Sequence, residues 1–99
     1  MNSIKVLLME DDPKDALRLR EMLSQENNIS FDLTCVDTLK KGLNYLTPEG
    51  PDVILVDLFL RGSQGLEIIR AVHAKAQKAP IIVLTKSHEE LGLEAIRQG

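Results

Sequence analysis

Three acids in a row, Glu10, Asp11 and Asp12, follow directly on the apolar run "IKVLLM" (4–9) and precede Pro13. Crowded carboxylates repel one another, and a cation held between them relieves that repulsion. A fourth acid, Asp57, closes the apolar run "DVILVD" (52–57), and a hydroxyl residue, Thr85, closes "PIIVLT" (80–85). Magnesium suits such a set, because it takes one or two carboxylates and keeps room for water and a phosphate oxygen. Asp12, just before Pro13, is better placed as a helix cap, since Asp favours the N-cap and Pro the first helical position. That leaves Glu10 and Asp11 as the metal pair. No member of the set is informative alone: an acid after a strand is often a cap or a solvated loop residue, and threonine suits strands.

The elements that position these residues follow from periodicity. "IKVLLM", "DVILVD" and "PIIVLT" are nearly continuous apolar runs, as expected of strands covered on both faces. "ISFDLTCV" (29–36) alternates apolar and polar residues and reads as a strand near a sheet edge. From Pro13 a helical period is expected to turn Ala16, Leu17, Leu19, Met22 and Leu23 inward and to end near Asn27 and Asn28. Asp37 or Thr38 caps a second helix carrying Leu39, Leu43 and Leu46 at helical spacing. "GLEIIRAVHAKAQ" (65–77) reads as a third helix with Leu66, Ile69 and Val72 inward, and "HEELGLEAIRQ" (88–98) as a fourth. "TPEGPD" (47–52) reads as a connection.

This alternation predicts an α/β fold, a doubly wound parallel sheet with right-handed crossovers and helices on both faces. Ligands of such sheets bind beyond the carboxyl ends of the strands, where strand order reverses. If the first, third and fourth strands are neighbours, Glu10, Asp11, Asp57 and Thr85 meet on one rim.

Composition narrows the class. A chain of 99 residues supports one domain, and 43% hydrophobic content allows a core, built from aliphatic residues because only 3% is aromatic. A formal net charge of -3 argues against a nucleic-acid surface on this domain. No apolar run approaches the roughly 18 residues of a membrane helix, and no signal-peptide pattern opens the chain, so the expected compartment is the cytoplasm. The one cysteine, Cys35, is expected to be a small hydrophobe buried in its strand. His73 and His88 fall on helices away from the acidic rim and read as surface or partly packed residues.

Taken in order, "LLMEDDP", "VILVDLFLRGSQGLEIIR" and "PIIVLT" resemble the receiver domain of two-component response regulators, and the resemblance spans the chain, residues 1–99. It implies a flavodoxin-like, CheY-like fold and a module that is not an enzyme. Asp57 matches the aspartate that accepts a phosphoryl group from a histidine kinase or phosphotransfer protein. Glu10 and Asp11 match the acidic pair that holds Mg2+ together with Asp57, and Phe59 matches the position whose backbone carbonyl completes the metal site. Thr85 matches the switch hydroxyl that swings toward the phosphoryl group.

The sequence also departs from the family pattern. The loop after Asp57 usually carries Pro and then Asp-Gly, whereas here Arg61 and "SQG" stand in those places, with Gly65 kept for a backbone turn. Lys86 stands where a small residue is common and either crowds the phosphoryl entrance or helps attract the group; both remain open. Family members continue with a fifth strand, ended by a lysine, and a fifth helix. The resemblance therefore implies a C-terminally incomplete receiver, (βα)4 of an expected (βα)5. The expected consequences are weak phosphoryl transfer and self-association over a bare edge and face.

Two other readings compete with this one. A receiver-like interaction module that no longer uses phosphate is favoured by Lys86 and the missing lysine, and opposed by Glu10, Asp11 and Asp57. A phosphatase with an aspartate nucleophile would need a second acid close behind it, and "LFLR" (58–61) supplies none.

Overall fold

The computed structural model describes residues 3–26, 28–58, 60 and 65–84. Seven elements follow in order: β1 (Ser3–Met9), α1 (Pro13–Ser24), β2 (Ser30–Val36), α2 (Leu39–Tyr45), β3 (Val53–Asp57), α3 (Gly65–Lys75) and β4 (Ile81–Leu84). The strands form one parallel sheet in the order β2-β1-β3-β4. The chain steps from β1 out to β2, crosses back to β3 and continues to β4. Strand order therefore reverses between β1 and β3. This is the doubly wound, CheY-like arrangement expected from the sequence, with β2 at an edge as its alternating pattern implied. The helix expected over 88–98 lies outside the described residues.

Alternation along each strand feeds two cores. Leu7, Met9, Ile54 and Val56 face α2 and α3 and pack with Leu46, Leu60, Ile68, Val72 and Ala76. Val6, Leu8 and Leu55 face the other way, toward Ala16 and Leu19 of α1. Full burial of one such aliphatic side chain contributes about 1.5–3 kcal/mol, and β1 and β3, covered on both faces, supply half of the buried hydrophobic residues among those described.

The helices sit less deeply than periodicity implied. None of α1's residues is fully buried, and Leu17 and Met22, expected inward, are 55% and 57% exposed. Its contact stripe runs through Ala16 and Leu19, and a step of about 100° per residue throws Leu17 and Met22 onto the flanks. The helix also stops at Ser24 rather than near Asn27 and Asn28, because the amides of Gln25 and Glu26 bond to Met22 and Leu23, three residues back, and tighten the last turn. In α3 the buried stripe is Ile68 and Val72, continued by Ala76 just past the helix, whereas Leu66 is 66% exposed and Ile69 half-buried. Leu66 precedes this i, i+4 series by two residues and points off it.

Local chemistry fixes the element ends. Thr38, of the two residues expected as caps, accepts the Lys41 amide at 3.1 Å and opens α2. The Lys75 ammonium at the end of α3 donates to the Leu43 carbonyl at 2.9 Å, satisfying an acceptor in the last turn of α2. Asp52 locks the start of β3 onto β1: its carboxylate accepts the Lys5 amide at 2.8 Å and its own amide donates to the Lys5 carbonyl at 2.9 Å. Among the described residues, no helix is long and apolar enough to cross a membrane.

Candidate functional site

Parallel pairing of β1 and β3 sets Met9 against Val56, so the residues that follow, Glu10 and Asp57, emerge side by side at the carboxyl rim. Asp11 comes next on the β1 side. Carboxylate oxygens of Glu10, Asp11 and Asp57 lie within 4.8 Å of one another. Asp57 is fully buried and Glu10 is 4% exposed, whereas Asp11 is half-buried. The cluster sits at the reversal of strand order, where an open parallel sheet leaves a crevice for ligands.

Backbone bonds hold the loop in place. The Glu10 amide donates to the Val36 carbonyl at 2.9 Å, extending the β1–β2 ladder one residue beyond Met9. Asp12 takes the capping role expected of it: extended at φ -92 and ψ 114, it accepts the Lys14 amide on its carboxylate at 2.9 Å. Its backbone also serves the acid pair, because the Asp12 amide donates to Glu10 Oε2 at 3.1 Å. The sequence reading missed this second duty. The Asp-Pro signature announces the cap, but the direction of the amide depends on the turn between Glu10 and Asp12.

Electrostatics define what the cluster can bind. Two carboxylates about 4 Å apart repel by about 4 kcal/mol at an effective dielectric constant of 20, a large share of the 5–15 kcal/mol that stabilises a small domain. A divalent cation among the three reverses the sign of that energy. The donors are all carboxylate oxygens with no thiolate or imidazole, which fits a hard cation such as magnesium rather than zinc.

On the β3 side, Asp57 runs into a loop closed at its neck, where the Gly65 amide donates to the Leu58 carbonyl at 3.1 Å. Gly65 has φ +49, a left-handed conformation that a side chain disfavours, which accounts for a glycine here. Leu60, 1% exposed, pins this loop to the core. The sequence does not single out Leu60, which is one of three consecutive apolar residues, 58–60, with nothing to mark it as the anchor. Phe59 and Thr85, expected to complete the site, lie outside the described residues.

The remaining candidates fall elsewhere. His73 is exposed on α3, near the end of the helix that leads to the start of β4, away from the rim that carries the acids; His88 lies outside the described residues. Cys35 is half-buried rather than buried. Burial pushes its thiol above the usual range, opposed by the Arg20 guanidinium and reinforced by Glu10 and Asp37, which suits a packing residue and not a nucleophile.

Comparison with known proteins bears on the family and the fold. The family model described as the response regulator receiver domain matches residues 6–99. The chain belongs to the response regulator receiver domain family. A nitrate/nitrite response regulator protein homolog of Haemophilus influenzae is 28% identical over 86 residues, covering 87% of this chain and 41% of that protein. The chain thus spans less than half the length of that curated relative. Among solved structures, the phosphorylated response regulator of a cyanobacterial phytochrome aligns with a TM-score of 0.75 at 23% identity, covering 96% of this chain and 76% of that one. The non-phosphorylated HemR receiver domain from Leptospira biflexa aligns with a TM-score of 0.73 at 24% identity, covering 96% and 75%. At these identities the structural likeness speaks for the fold.

Proposed function

We propose that this domain is the phosphoacceptor of a two-component pathway, taking a phosphoryl group on Asp57 from a histidine kinase or phosphotransfer protein in the cytoplasm. The observation that carries this reading is the meeting of Glu10, Asp11 and a fully buried Asp57 at the rim where strand order reverses. A carboxylate oxygen of Asp57 forms the new bond to phosphorus while the bond from phosphorus to the donor's imidazole nitrogen breaks. The electron pair leaves with the imidazole. Bound Mg2+ would supply charge neutralisation at the phosphoryl oxygens. Glu10 and Asp11 would hold it there together with Asp57, and the backbone carbonyl of Phe59 would be a further ligand. The burial of Asp57 keeps bulk water from the acceptor carboxylate.

Thr85 would donate its hydroxyl to a phosphoryl oxygen and bias the chain that follows β4 between two arrangements. In this role the domain is a stoichiometric acceptor and switch, not an enzyme with a turnover of its own. Nucleic acid and membrane have no part in the proposed site. Self-association over the edge of the sheet and the face beside α1 is proposed as well; sedimentation across a range of concentrations tests it, and a monomer throughout would refute it.

The deciding experiment is intact mass after incubation with magnesium and a small-molecule phosphodonor. The expected result is a gain of one phosphoryl group, lost in Asp57→Asn and in chelator. A wild-type chain that binds magnesium yet gains nothing would favour the alternative, an interaction module with the receiver fold that works without phosphate.

A further inference from the structure

Asp12 is pinned to α1 from two sides. Its carboxylate accepts the Lys14 amide at 2.9 Å, and its carbonyl accepts the Ala16 amide at 3.0 Å. With both groups tied to the first turn, its remaining backbone group, the amide, is aimed back at Glu10 Oε2, 3.1 Å away. Glu10 has little freedom to turn elsewhere, being 4% exposed with its own amide bonded to Val36. One helix cap and one metal-ligand candidate thus share a single residue.

We propose that Asp12 is a positioning residue for the acid pair: by capping α1 it fixes its own amide on Glu10 and presents that carboxylate with one oxygen already engaged. The inference rests on the metal reading given above and deepens it. A carboxylate held by an amide on one oxygen favours giving a single oxygen to a cation. Single oxygens suit magnesium, which keeps octahedral geometry and several waters, better than calcium, which readily takes both oxygens of one carboxylate. Groups that orient a metal ligand in this way affect affinity strongly although they never touch the ion.

Two roles for Asp12 make opposite predictions. If it acts only as another negative charge near the cation, removing the charge weakens binding whatever replaces it. If it acts as a cap, Asn serves nearly as well as Asp, and Ala does not. The test is a calorimetric titration with magnesium chloride of wild type, Asp12→Asn and Asp12→Ala. Amide spectra of the metal-free proteins, recorded alongside, confirm that each variant is folded. Wild type and Asp12→Asn are expected to agree within about threefold, and Asp12→Ala to bind about tenfold more weakly. The residue-12 amide proton is expected downfield in wild type and Asp12→Asn, and upfield in Asp12→Ala.

The proposal is overturned if Asp12→Asn weakens binding as much as Asp12→Ala, or if Asp12→Ala binds as tightly as wild type. Should Asp12→Ala fail to fold, Asp12→Gly, a milder loss of the cap, replaces it with the same expectation of weaker binding. If wild type takes up no magnesium, the metal reading fails. The hold of Asp12 on Glu10 is then judged by the amide alone, and an upfield resonance in wild type overturns it.

Discussion

Gly42 and Met9 stand so close that a Cβ built on the glycine would lie 2.5 Å from Met9 Cε and 3.0 Å from its sulfur. Met9 is fully buried, so its thioether cannot swing into solvent to make room. The close approach lets α2 settle onto the end of β1, immediately before Glu10.

Replacing Gly42 with Ala sets two effects against each other. Alanine improves helix propensity by about 1 kcal/mol, while overpacking a closed core costs about 1–3 kcal/mol. The expected net result is destabilisation of about 1 kcal/mol, read as a lower urea midpoint at unchanged slope. Shortening the neighbour as well, in Gly42→Ala/Met9→Val, is expected to recover part of the loss. A single variant more stable than wild type would show that Met9 has somewhere else to go.

Asp57→Asn is expected to stabilise the metal-free protein while it abolishes phosphoryl uptake. Removing one of three clustered carboxylates relieves repulsion of a few kcal/mol. Unfolding in chelator is therefore expected at a higher urea concentration for the variant, by about 1–3 kcal/mol. Magnesium should narrow the gap by stabilising wild type, since a ligand at a hundred times its dissociation constant adds about 2.7 kcal/mol. Equal midpoints in chelator would mean that the cluster is already neutralised by other means.

Cys35 supplies a pH prediction. Its thiol is raised above its ordinary value of 9.0, mainly because burial penalises the thiolate. The folded state therefore holds the proton where the unfolded chain has begun to release it. The resulting stabilisation is fully present below the ordinary thiol value and is lost as pH rises through the higher folded value. Alkylation by iodoacetamide at mildly alkaline pH should be slower in the native protein than in urea. Equal rates would show the thiol to be as accessible and as acidic as a free one.

Thr38→Ala removes the acceptor for the Lys41 amide in a helix of only seven residues. A lost cap costs about 1 kcal/mol, and so short a helix has little else to spread the loss over. Faster hydrogen exchange is expected in the first turn of α2, with β1 and β3 unchanged.

The sheet and its rim were legible in the sequence because β1 and β3 are covered on both faces, and such strands show as nearly continuous apolar runs ending in acids. Amphipathic faces were less so. Leu17, Met22 and Leu66 all satisfy a helical period, yet each lies beside the true contact stripe, which depends on how the helix is rolled on the sheet and not on its composition. The end of α1 depended on two amides choosing carbonyls three residues back. The double duty of Asp12 was beyond reach for a similar reason: residue types announce a cap, but only the turn decides where the amide points.

The acids of the site come from two strands that touch only after the chain has passed through α1, β2 and α2. No short peptide cut from this sequence would bring Glu10, Asp11 and Asp57 together. On the proposed function, competence to be phosphorylated would then be a certificate of completed folding: a nascent or damaged copy carries the same Asp57 without the acids that gather around it, so topology alone would suppress false messages from unfolded protein.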